Sequence, residues 1–149
     1  MPPTFPSDLR SFLTHGCPAL LLSVDDAGLP HTAFTWVVCD SQTCLRFAVD
    51  IGSGTERNLQ RNPAAAVQII GPDNLIFLIK GKARCVKARI SAPGLQLARY
   101  ELAVTNIKDQ SWPHAVVSPL AFQWSESQRQ SLQEMEAVVF AELRRSEDE

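Results

Sequence analysis

No apolar run in this sequence is long enough to cross a membrane, and the opening "MPPTFPSDLR" lacks the charged-then-apolar order of a secretory signal. A strong charge of either sign is also missing. Lys and Arg number 14 against 16 Asp and Glu, so the formal charge of −2 gives no basic field for nucleic acid. There is no C-x-x-C pair, and His15, His31 and His114 share no metal-ligand spacing. Nor is there a G-x-S-x-G elbow, a Walker loop, an H-E-x-x-H helix or an obvious pair of catalytic carboxylates. These absences predict a cytoplasmic protein that holds no metal, binds neither nucleic acid nor membrane, and leaves any difficult chemistry to a cofactor. Cys39 and Cys44 flank "DSQT", where a hairpin would bring them face to face as a thiol pair. Reduced, buried thiols are the plainer reading of all four cysteines.

What is present describes a single domain over 1–149, with 45% hydrophobic and 20% charged residues, enough for a sizeable core. A helix is expected within 1–16, capped by Ser7, striped by Leu9, Phe12 and Leu13, and stopped at Gly16. "ALLLSV", the "DDAG" turn and "PHTAFTWVVC" read as a hairpin over 19–39, and "DSQT" leads on to a strand at 44–49. Strands follow at 64–70 and 75–90. The second is too long to run straight, and its cationic residues change parity, which predicts a bulge near Val86 and a bend or close approach at Gly81. Residues 92–106 carry helical spacing, residues 114–124 return to strand character, and 125–146 form an amphipathic helix with Ser125 and Gln128 as a capping box. The fold class is therefore mainly β with peripheral helices (α+β): six short strands in a small closed or half-open barrel. A barrel of this size fills its interior with side chains, so a ligand belongs outside it or between subunits.

The stretch "DIGSGTERNLQRNP" (50–63) supports two readings. Glycines, the hydroxyls of Ser53 and Thr55, and a helix start make a phosphate cradle, with Arg57 and Arg61 on one face to supply charge. Ser53 and Glu56 equally form a capping box that satisfies the same N–H groups internally, and taken alone the motif favours the cap.

The ordered set "LLSVDDAGLPHTAFTWVV", "LRFAVDIGSGTERNLQRNP", "LIKGKARCV" and "SPLAFQW" resembles the pyridoxamine 5'-phosphate oxidase-like family of FMN-binding split barrels. The resemblance implies a homodimer of six-stranded split barrels with FMN at the subunit interface and a small-molecule substrate. The flavin would lie along Phe34, Thr35, Trp36 and Val37 and along Ala48, Val49 and Asp50. Its phosphate would sit at Ser53, Gly54, Thr55, Arg57 and Asn58, with Lys82 as a substitute cation and Trp112 or Trp124 completing the site across the dimer. The family's usual basic residues fall here on the neutral Gly54, Thr55, Ala33 and Val38. That departure keeps two alternatives in view: the deazaflavin F420 in place of FMN, or a cofactor-free or heme-type barrel without oxidase activity.

Overall fold

The computed structural model describes residues 2–145. Helix α1 (Ser7–His15) is followed by strands β1 (Cys17–Val24), β2 (Pro30–Cys39) and β3 (Cys44–Asp50) and by helix α2 (Gly54–Arg61). Strands β4 (Ala64–Gly71), β5 (Leu75–Ile90) and β6 (Leu97–Asp109) come next, and a 3₁₀ turn at Glu126–Gln128 runs into helix α3 (Arg129–Arg144). The six strands close into an antiparallel barrel in the order β1-β2-β3-β6-β5-β4.

Local chemistry sets the hairpins. Asp25 accepts the N–H groups of Ala27 and Leu29 at 2.9 and 2.8 Å, and Gly28 takes φ 80°, so the turn fixes Val24 opposite Pro30. Asp73 and Asn74 both adopt positive φ in the β4–β5 turn, a conformation these two residue types tolerate best after glycine. The β5–β6 ladder shifts register between Cys85 and Lys87, which leaves Val86 as the predicted bulge. A Cβ at Gly81 would overlap the carbonyl oxygen of Ala103, so the expected close approach is backbone on backbone.

Three expectations are corrected. Residues 97–109 are the strand β6 rather than part of a helix over 92–106. Its first half is buried on both faces: Ala98, Tyr100 and Leu102 point into the barrel, while Leu97, Arg99 and Glu101 lie on the outer side. A strand buried twice loses its alternation and imitates helical spacing. Residues 114–124 form no strand, because the six-stranded barrel is already closed and offers no free edge. Finally, the caps differ: Pro6 precedes α1 with Ser7 already helical, and Ser125 makes no side-chain cap.

Two apolar layers result. Inside the barrel, Val37, Leu45, Phe47, Val67, Ile79 and Leu102 are fully excluded from solvent, and Leu9 and Leu13 of α1 close one end. Outside it, Met135, Val139 and Leu143 of α3 pack on Val38, Ala48, Ile90 and Leu97. The end of α3 is held by two buried arginines. Arg99 donates to the Glu142 carbonyl at 2.8 Å and Arg46 to the Leu143 carbonyl at 3.3 Å, and both also bond the Arg145 carbonyl. Cationic donors at a helix C-terminus satisfy orphan carbonyls and oppose the macrodipole. No helix among the described residues is long and apolar enough to cross a membrane.

Candidate functional site

Strands β2 and β3 pair only through Val37–Phe47, Val38–Arg46 and Cys39–Leu45. Beyond Val37 they part, and β3 keeps β6 as its other neighbour while β2 keeps β1. In place of the missing ladder, the Thr35 hydroxyl donates to the Ala48 carbonyl at 2.6 Å. The parting opens a groove of about 370 Å³. Phe34, Thr35 and Trp36 line one wall, Ala48, Val49 and Asp50 the other, and Ser53, Gly54 and Thr55 close the end where α2 begins.

At that end the capping box forms, but it does not use every donor. Ser53 Oγ accepts the Glu56 N–H at 3.1 Å, and Glu56 Oε1 reaches back to the Gly52 N–H at 3.0 Å. The N–H groups of Gly54 and Thr55 have no partner among the described residues, and both residues line the groove. Cap and cradle therefore coexist. Arg57 donates to the Gly52 carbonyl at 3.0 Å, and its Nη2 lies 3.7 Å from where a Cβ on Gly54 would stand. His31 Cε1 is 3.6 Å from the same point. Arg61 is turned away to the Val24 carbonyl at 2.9 Å.

The other residues expected in the site are scattered. Val37 is wholly inside the barrel and does not line the groove. Asn58 is buried and donates to Ser23 Oγ at 3.1 Å, a tie between α2 and β1. Lys82 sits on β5 opposite Ala64, outside the groove lining. Trp112 is 70% exposed and is bound through its backbone to Asn74 at the β4–β5 turn. Trp124 does not line this groove but a neighbouring cleft with Phe34 and Trp36 of the same chain. Of the four neutral positions, Ala33 and the Gly54–Thr55 pair line the groove, whereas Val38 is buried beneath α3. His31, Leu95 and Leu97 were not anticipated. His31 reaches the groove because the Asp25 turn fixes the register of β1 against β2, pairing Ser23 with His31.

The thiols do not form the pair imagined for them. Cys39 pairs with Leu45, and its Sγ lies 3.2 Å from Thr14 Oγ1 on α1. Cys44 lies instead with Asp40 and Glu101. The Arg46 guanidinium already supplies the cation of that cluster, 3.1 Å from Glu101 and 3.3 Å from Asp40. Burial, and then the charges of Glu101 and Asp40, push the Cys44 thiol up to about 12.

A six-stranded antiparallel barrel with its groove between two parted strands, ended by a capped helix, defines the class of split-barrel proteins. Residues 5–136 match the family model for pyridoxamine 5'-phosphate oxidase, and the chain belongs to that family. Solved structures with the same fold include one named F420 reductase (21% identity, 71% of this chain and 100% of that one, TM-score 0.60). HupZ from Group A Streptococcus is another (12% identity, 76% and 98% covered, TM-score 0.61). A third is a Listeria innocua protein provisionally described as a pyridoxamine 5'-phosphate oxidase (16% identity, 69% and 95% covered, TM-score 0.56). No curated protein matches the sequence.

Proposed function

We propose that this protein is a cytoplasmic, homodimeric FMN-binding oxidoreductase acting on a small molecule. The observation that carries this reading is the groove between β2 and β3, ending on two N–H groups that its own capping box leaves free. The fit to a flavin mononucleotide is favourable in three respects. The groove is a cleft of the size that small-molecule sites have. Phe34, Trp36, Ala48 and Leu97 offer apolar surface to a planar ring system. The α2 N-terminus offers partial positive charge and donors to a phosphate, with Arg57 and His31 beside it. Members of the family generally bind flavin.

When bound, the flavin would supply hydride chemistry that no side chain here can. The chain's own residues bind and orient. Gly54 and Thr55 N–H would hold the phosphate, Thr35 fixes the spacing of the two walls through Ala48, and Trp36 is fixed by donating to Glu136 at 2.7 Å. Leu95 and Leu97 form an apolar margin that limits water. The dimer is supported by Leu29 and Phe34, large apolar side chains left 59% and 68% exposed.

An absorption spectrum of freshly purified protein, followed by titration of FMN fluorescence, tests the reading. Bands near the flavin maxima, or saturable quenching with one FMN per chain, support it; colourless protein without quenching overturns it. The neutral Gly54 and Thr55 favour a second reading, in which the deazaflavin F420 occupies the groove. The likeness to a structure named F420 reductase points the same way. Parallel titration with both compounds separates the two, and a Soret band would reveal the heme-type alternative.

A further inference from the structure

Most polar side chains around the groove are already committed to the protein itself. Ser53 Oγ accepts the Glu56 N–H and donates to the Asp50 carbonyl at 2.7 Å. Thr35 donates to Ala48 and Trp36 to Glu136. Arg61 gives one nitrogen to both the Val24 carbonyl and Asn58 Oδ1. The Asp25 carboxylate, in the turn before β2, is engaged by the N–H groups of Ala27 and Leu29.

His31 is different. It is half-buried on β2 and lines both the groove and an adjoining basin of about 440 Å³ that carries Asp25, Asp26, Arg57 and Arg61. Its imidazole has no hydrogen-bond or ion-pair partner among the described residues. The ring edge formed by Cε1 and Nε2 is turned toward Gly54, 3.6 and 3.9 Å from the point where a Cβ would stand. Arg57 Nη2 lies 3.7 Å from the same point, while its Nη1 is held by the Gly52 carbonyl. Gly54 and Thr55 add the two backbone N–H groups that the capping box leaves over. Donors from β2 and from α2 therefore converge on one small space. A phosphate monoester presents three strong acceptor oxygens in different directions, and such a set of donors satisfies them together. The neutral Gly54 and Thr55 leave the side-chain share of that duty to Arg57 and to a residue on the facing strand.

We propose that His31 decides whether this groove takes a phosphorylated or an unphosphorylated ligand. Its ring N–H completes, with the Gly54 and Thr55 N–H groups and Arg57 Nη2, a four-donor seat for one phosphate monoester. That the phosphate arrives on a flavin rests on the FMN reading; the seat itself is a property of the chain.

Titration with FMN and with riboflavin, which differ only by the phosphate, isolates the seat. The protein should prefer FMN by about tenfold or more, the worth of one charge-assisted bond or two. His31→Val should cut that preference by about tenfold while riboflavin affinity stays within about twofold. His31→Lys, which returns a cation to the same place on the strand, should restore it. Equal loss of both flavins in His31→Val marks a purely structural role and overturns the proposal. An unchanged FMN preference in that variant overturns it too, because the phosphate then sits elsewhere. Where neither flavin quenches, the FMN reading fails and inorganic phosphate decides the seat. At fixed pH and ionic strength it should move the His31 imidazole signals saturably in an NMR titration and leave those of His15 and His114 still. Assignments come from His15→Gln, His31→Gln and His114→Gln. A still His31 signal, or equal movement of all three histidines, then overturns the seat as well.

Discussion

Position 54 has room for a side chain: a Cβ there meets only His31 and Arg57 at ordinary contact distance, and its φ is not in the left-handed region. Gly54→Lys therefore restores a cation at the groove end without strain. Because a charge-assisted bond is worth about 1.5–3 kcal/mol, the variant should bind FMN at least about tenfold more tightly by fluorescence titration. Unchanged affinity would place the phosphate elsewhere. The thiols give a second prediction at this scale. Burial pushes Cys17 up to about 12, and burial with the Glu101 and Asp40 charges does the same for Cys44. Thiols raised this far stay protonated at pH 8, so a thiol-disulfide reagent should leave both unmodified in native protein and react with them on unfolding. Much of the groove was readable residue by residue, because "GSGTER" announces its own cap. His31 was not, since its place depends on a register that the Asp25 turn sets eight residues from Ser23 rather than on any motif around it.

Helix α3 brings the clearest pH dependence. Burial raises the Glu142 carboxyl, but its hydrogen bond from Arg145 and the charges of Lys87 and Arg145 outweigh that and hold it below the ordinary carboxylate range. A depressed folded value means that the unfolded chain takes up the proton first as pH falls. The contribution is thus present above the unfolded value, roughly 4.3, and is lost as pH drops through the folded one. Urea midpoints should fall below about pH 5, and Glu142→Gln should flatten that decline while lowering stability at neutral pH. Elements differed in how plainly they could be read. The β1–β2 hairpin was visible because the Asp-Asp-Ala-Gly chemistry of residues 25–28 marks its turn. Strand β6 was not, because burial of both Ala98–Val104 inside and Leu97–Glu101 outside erases the period of two. Residues 114–124 misled in the opposite sense: their β-forming composition found a sheet with no edge left.

For the whole molecule, the barrel and α3 are one folding unit. Ending the chain after Trp124 would bare Val38, Ala48, Ile90 and Leu97 and strip Arg46 and Arg99 of the carbonyls that receive them. Returning Val38, Ile90 and Leu97 to water costs about 1.5–3 kcal/mol each, which together approach the full stability of a domain this size. The truncated chain should therefore show no cooperative urea transition, while the full chain shows one; a sharp transition without α3 would refute the coupling. The same two arginines set an order of events during synthesis. Arg46 and Arg99 leave the ribosome long before their acceptors, which lie 97 and 43 residues further along the chain. Until those arrive, the outer faces of β3 and β6 remain wet, and the barrel lacks the helix that covers them.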